Sequence, residues 1–315
     1  MNKRCLYCYQ PLLENSDAFH DKCSLTFFGT KKPPVLDYTI EQMQELAKEI
    51  VIKSIAVTGV QPKLSLTIEK TPGDPKNSRF TIVGLWGDYI LKPPTEAFPH
   101  LTENEDVTMH LSDLFEIPTA SHSLIQLKSG ELAYITKRFD RIKGNKLAME
   151  DMCQLTETST EDKYRGSMEK VGKQILRFSS RPGFDALTFF ETSLFCFLTG
   201  NADMHLKNFA LLTTEENEIV LAPAYDLLCT KIAMPSDMDE MALTINARKR
   251  KITRSDFDGL AKNLKINDKT IENSYSKFAK KLNDANEWID ISFLPDEMKM
   301  EYKRVISENF KKLDI

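Results

Sequence analysis

Residues 198–212 read "LTGNADMHLKNFALL" and place Asn201, Asp203, His205, Lys207 and Asn208 within eight positions, directly after the apolar run "SLFCFL". A solvated turn after a buried helix would account for Asp, Asn and His here, because their side chains bond turn backbones well. The spacing asks for more: Asp203 and Asn208 are five apart, and the strand-like runs "NFALL" and "EIVLAPAYDLL" follow around a "TTEENE" turn. The second run delivers Asp226, which lies 18 residues beyond Asn208.

A phosphoryl-transfer loop requires this order of groups. An aspartate orients the acceptor hydroxyl and takes its proton, an asparagine later in the loop binds a metal ion, and a second metal-binding aspartate follows a short hairpin. Two carboxylates and a carboxamide are hard oxygen donors suited to Mg2+. The apolar helix "GFDALTFFETSLFCFL" before the loop would anchor it in a core.

Upstream, "DYILKPP" is strand-like and ends on Lys92. From such a strand end a lysine can reach the α- and β-phosphates of ATP. A solvent-facing lysine is the plain alternative. The partner for Lys92 would be Glu105 on the next helix, although Thr102 and Glu105 also match a capping box. "SIAVTGVQPKLSL", residues 54–66, is a small-residue turn entering a strand, where backbone N–H groups could cover phosphates. With Gly59 as its one glycine, it is a poor phosphate loop by motif alone, and a plain β-turn is the default there. "TKRFDR", residues 136–141, sits where β-like character gives way to helical patterning.

The 315 residues are 41% apolar and 28% charged with a net charge of −4, which suits a soluble protein of two lobes and gives no electrostatic case for nucleic acid as the main partner. The start "MNKRCLYCYQ" lacks a signal-peptide pattern, no apolar run reaches the ~18 residues of a membrane span, and six cysteines are unevenly spaced. A cytoplasmic protein with reduced thiols and no membrane partner is expected. The expected divisions are an N-terminal Cys/His module (1–34), a mixed, β-rich N-lobe (35–137) and a mostly helical C-lobe (138–315). "MEDMCQLTET", "SMEKVGKQIL" and residues 254–315 read as helical.

Three cysteines and a histidine crowd the start: Cys5-x2-Cys8, eleven residues, then His20-x2-Cys23. Two close pairs joined by a short loop have the spacing of a Cys3His structural Zn2+ site, and metal would substitute for the core that so short a segment lacks. Alternatively, the cysteines pack as small apolar residues with Tyr7, Phe27 and Phe28.

Taken together, "VTGVQPKLSL", "YILKPP", "ENEDVTMHL", "KRFDR", "EDMCQLTETSTEDKY", "GNADMHLKNF" and "LAPAYDLL" resemble the HipA-type serine/threonine kinases, toxins of bacterial toxin–antitoxin systems. The resemblance runs from about Ser54 to about Asp256. It implies an α+β, bilobal protein-kinase-like fold. It implies Asp203 as the catalytic base, Asn208 and Asp226 as Mg2+ ligands, and Lys92 on the ATP phosphates. The backbone of Lys137, Arg138 and Phe139 would meet adenine and Asp140 the ribose. His205 and Lys207 would line the nucleotide side of the loop, with Tyr225 beside Asp226. Thr58, Gly59, Val60, Gln61 and Lys63 would form the loop over the phosphates.

Better-known family members phosphorylate a serine on an aminoacyl-tRNA synthetase. Antitoxin partners restrain them, one a helix-turn-helix protein through which DNA is met indirectly. The long members carry a β-rich subdomain before the phosphate loop that this sequence lacks. It therefore looks like the short kinases of three-gene systems, and a separate small protein resembling that subdomain is an expected partner besides the protein substrate. The serine those members autophosphorylate is Ala56 here. If the segment is extended, Ser54 lies on the same face and becomes the expected site. A small-molecule kinase and a nucleotide-binding pseudokinase scaffold are the competing readings. "EDMCQ" and "KRFDR" oppose the first, and the intact set of Lys92, Asp203, Asn208 and Asp226 opposes the second.

Overall fold

The computed structural model describes residues 3–13, 18–53, 62–71, 74–83, 86–142 and 144–315. The chain divides into two compact units, one formed by residues 1–106, 120–144 and 291–293, the other by 107–119, 145–290 and 294–315. Ser54, Thr58, Gly59, Val60 and Gln61 fall outside the described residues.

In the first unit, helices α1 (Asp21–Phe28) and α2 (Ile40–Lys53) precede an antiparallel sheet. Its strands are β1 (Leu64–Thr71), β2 (Asp74–Val83), β3 (Tyr89–Lys92), β4 (His122–Gln126) and β5 (Leu132–Lys137), in the spatial order β2-β1-β3-β5-β4. β3 is central, with Leu91 opposite Leu64 on one side and Ile135 on the other. Leu64, Leu66, Leu91, Ala133 and Ile135 are fully buried, and the rings of Phe27, Phe28, Phe80 and Tyr89 meet edge-on, tying α1 to β2 and β3. The two-residue strand β6 (Arg141–Ile142) closes this unit.

Helix α3 (Leu101–Leu114) begins in the first unit and ends in the second. Its "LTENEDVTMHLSDLF" pattern reads as one element of the N-lobe. However, Phe115 packs on Phe195 and Phe278, and Thr108 bonds Tyr302 at 2.8 Å, so residues 107–119 cluster with the second unit.

The second unit continues with β7 (Asn145–Lys146), β8 (Met149–Asp151), α4 (Met152–Leu155), α5 (Met168–Phe178) and α6 (Pro182–Leu198). Then come β9 (Ala210–Thr213), β10 (Ile219–Leu221), α7 (Thr230–Ala233), α8 (Arg254–Asn263), α9 (Asp268–Asp290) and α10 (Asp296–Leu313). "MEDMCQLTET" patterns as a helix, yet its first residues form β8 because β9 offers a pairing edge, with Asp151 opposite Ala210. Asp151 then starts α4 through a capping box with Gln154. The hydrophobic α6 is buried nearly all round, its phenylalanines meeting Phe115, Phe209 and Phe257. Asn309 on α10 donates to the carbonyls of Phe197 and Leu198, satisfying the end of α6 inside the core.

Candidate active site

The loop read first in the sequence leaves the fixed end of α6. Gly200 has φ +69°, the left-handed turn that ends many helices, and the Asn201 N–H reaches back to the Cys196 carbonyl at 2.8 Å. A Cβ on Gly200 would lie 2.8 Å from Val305 Cγ1, so close packing reinforces the backbone demand for glycine. Buried Asn201 accepts the Asp203 N–H at 3.0 Å, and Thr230 Oγ1 accepts the Ala202 N–H at 2.9 Å. These bonds set the backbone that presents Asp203.

Residues 206–208 form a single 3-10 turn. In it the Asn208 amide nitrogen donates to the Asp203 carbonyl at 3.1 Å. That bond anchors the nitrogen end of the carboxamide. The hairpin β9–β10 pairs Thr213 with Ile219 and Leu211 with Leu221, then returns the chain to Asp226. The Ala224 N–H donates to the Pro118 carbonyl at 2.7 Å, and Leu227 is fully buried, pinning both sides of Tyr225 and Asp226. Asp226 has φ +61°, a conformation uncommon outside glycine and concentrated at functional sites. The Tyr225 hydroxyl donates to the Lys207 carbonyl at 2.8 Å, joining this segment to the loop.

Asp203 and Asp226 act on the same neighbours. Burial first, then a hydrogen bond to Asp203 and the charges of Asp203 and Asp226, push the Tyr164 hydroxyl well above its ordinary value. That hydroxyl donates to Asp203 Oδ1 at 2.5 Å. Burial lowers His205 to about 4 despite the attraction of Asp203, so the ring is neutral at pH 7. Among the described residues its Nδ1 is a buried polar atom without a hydrogen-bond partner, as a group facing a polar ligand would be. Two carboxylates and one carboxamide oxygen are hard donors of the kind Mg2+ takes. Lys207, expected on the nucleotide side, places its ammonium on Asp151 at 3.0 Å.

The first unit, taken by itself, holds further candidate residues. Lys92 Nζ meets Glu105 Oε1 at 2.5 Å with both residues buried, at 4% and 1% exposure. Of the two readings of Glu105, this ion pair is formed. Lys92 also lies over the Tyr134 ring, 5.3 Å from its centre. After β5, the Arg138 N–H donates to the Asp88 carbonyl at 2.8 Å. Burial alone would raise Asp140, but bonds from Arg138 and Arg141 outweigh it and hold the carboxyl below the usual range. A ribose at Asp140 would share that carboxylate with two guanidiniums. Lys137 and Lys63 are exposed, and Phe139 is half-buried.

Tyr164, Asn201 and Asp151 carry parts of this arrangement that the sequence reading leaves without a role. Tyr164 had one signal, an aromatic in the charged stretch "TSTEDKYRG", and it is 41% exposed.

The family model of the HipA-like C-terminal domain matches residues 55–286. A Haemophilus influenzae protein provisionally named a kinase is 29% identical over 188 residues, covering 56% of this chain and 53% of its own. The serine/threonine-protein kinase toxin HipA of Shewanella oneidensis is 27% identical over 214 residues, covering 61% of this chain and 47% of its own. The chain thus spans about half the length of the curated relatives it matches. The Shewanella HipA, solved with HipB and operator DNA, superposes with a TM-score of 0.67 at 20% identity over 90% of this chain and 75% of that one, a likeness of fold. With more than half of its length inside the family model and a kinase-like fold, the chain belongs to the HipA-like C-terminal domain family.

Proposed function

We propose that this chain is an ATP- and Mg2+-dependent serine/threonine protein kinase, the toxin of a bacterial toxin–antitoxin system. The observation that carries this reading is the loop from α6 to β9: Asp203 held by Asn201 and Tyr164, Asn208 tied back onto it, and Asp226 sharing its neighbours.

Asp203 would accept a hydrogen bond from the acceptor hydroxyl and take its proton as that oxygen bonds the γ-phosphorus of ATP. The β–γ bridging bond breaks and ADP leaves. Lys92, held straight by Glu105, would bind the α- and β-phosphates. Asn208 and Asp226 would hold Mg2+, which supplies charge neutralisation when bound. The backbone of residues 137–139 would receive adenine. Neutral His205 contributes a ring nitrogen without adding charge.

The partners follow from the family. The Shewanella relative was solved with HipB and its operator DNA, which supports an antitoxin partner here and DNA contact through it. A translation component such as an aminoacyl-tRNA synthetase is the proposed substrate class, and Ser54 the proposed autophosphorylation site. Among the described residues no helix is long and apolar enough to cross a membrane.

The test is incubation of the purified chain with labelled ATP, Mg2+ and bacterial lysate. A labelled protein band absent with Asp203→Asn supports the reading. A labelled small molecule, or no turnover at all, would overturn it. Peptide mass spectrometry on the same material checks Ser54, with Ser54→Ala as control.

A further inference from the structure

We propose that Cys5, Cys8, His20 and Cys23 hold one structural Zn2+, and that this ion clamps the start of the chain onto β3 and α3, the two elements that carry Lys92 and Glu105. The ligand atoms of all four residues lie within 4.8 Å of one another. They come from two short turns. An antiparallel bridge between Arg4 and Pro11 closes the first, with the Cys5 N–H on the Gln10 carbonyl and the Tyr9 N–H on the Cys5 carbonyl, both at 2.9 Å. Tyr9 takes φ +62°, the left-handed turn that curls the loop back after Cys8. The second turn is the start of α1. His20 stands at its N-cap and Cys23 three residues on, so both side chains occur on one face.

The distances separate a metal site from packed thiols. Zn–S of about 2.3 Å and Zn–N of about 2.05 Å at a tetrahedral angle place sulfur and nitrogen about 3.6 Å apart. His20 Nδ1 lies 3.4 Å from Cys8 Sγ and 3.8 Å from Cys23 Sγ. A single S–H···N bond would account for one of these approaches, not for two sulfurs on one nitrogen. The other ring nitrogen agrees. His20 Nε2 is 3.0 Å from the Pro11 carbonyl, which can only accept, so Nε2 carries the proton and Nδ1 keeps its lone pair for a ligand. All six cysteines are free thiols, so no disulfide competes for these three.

Four protein ligands close a tetrahedral ion, so the site is structural and has no position for substrate. Its connections give it reach. Tyr9, next to Cys8, donates its hydroxyl to Asp106 at 2.5 Å, one residue from Glu105. Phe27 and Phe28, which follow Cys23 on α1, pack on Tyr89 of β3, and the Tyr89 hydroxyl donates to the Phe27 carbonyl at 3.3 Å.

The test is elemental analysis of the full chain purified without chelator. The expected result is about one Zn2+ per chain, released when the thiols are blocked with a mercurial. Cys8→Ser and Cys23→Ser should lose it, while Cys153→Ser keeps it. Cobalt exchanged into the wild-type chain should show the intense visible bands of tetrahedral thiolate coordination, and removing the metal should lower the melting temperature. Should either cluster variant fail to fold, the wild-type zinc content and its release by thiol blocking still decide. Absence of zinc, or zinc retained after thiol blocking or in Cys8→Ser, overturns the proposal.

Discussion

Glu105→Gln should destabilise the nucleotide-free protein by about 3–5 kcal/mol, because it takes the Glu105 charge away from the buried Lys92 ammonium. The magnitude follows from burial. The pair sits at 2.5 Å with side-chain exposures of 6% and 1%. At that separation the gross attraction is about 7 kcal/mol with an effective dielectric near 20. Most of it offsets the desolvation of two charges, so the intact pair contributes little net stability. Breaking one side is what is costly. Lys92→Met/Glu105→Leu, which removes both charges and keeps most of the volume, should recover most of the loss while remaining inactive. The assay is urea unfolding of wild type, single and double variants, with the m-value watched for a change in transition type. A Glu105→Gln loss under about 1 kcal/mol, the range of exposed pairs, would refute the claim that this pair is desolvated. So would a double variant no more stable than the single.

The remaining predictions concern the second unit. His205 titrates near 6.5 when unfolded and about 4 when folded. Between those values the unfolded chain binds the extra proton, so stability falls as pH drops through that window, by up to about 3 kcal/mol. Denaturant melts without added Mg2+ or nucleotide should show His205→Asn with a flatter slope between pH 6.5 and 4, and parallel slopes would contradict the assignment. Tyr164→Phe removes the hydroxyl that bonds Asp203 and should lower kcat, whereas an unchanged kcat means the bond is incidental. Gly200→Ala meets both the φ of +69° and the 2.8 Å approach to Val305 Cγ1. It should destabilise by about 2–4 kcal/mol, read by thermal or urea unfolding.

How much of this could be read from the residues depends on the range of each interaction. The D-x-H-x-x-N loop is local, and its helix-before, hairpin-after context survives into α6 and β9–β10. β3 ending on Lys92 was legible for the same reason. Interactions between distant positions were not. Tyr164 meets Asp203 from 39 residues away and Lys207 meets Asp151 from 56. β8 was hidden because its helix-like pattern yields only when β9 lies alongside, and α3 gave no sign that its second half packs with Phe195 and Phe278. The Cys/His spacing suits a metal site, and the proposal of one rests on the shared position of two sulfurs at His20 Nδ1.

The proposed activity turns on Asp203 as the base for phosphoryl transfer. The direct measurement is the rate of phosphoprotein formation from Mg-ATP by wild type and Asp203→Asn, with Mg-ATP affinity and unfolding midpoint measured on the same preparations. A fall in rate of about 10²–10⁴ is expected, with the fold intact and nucleotide affinity little changed. Near-wild-type turnover by Asp203→Asn would contradict it.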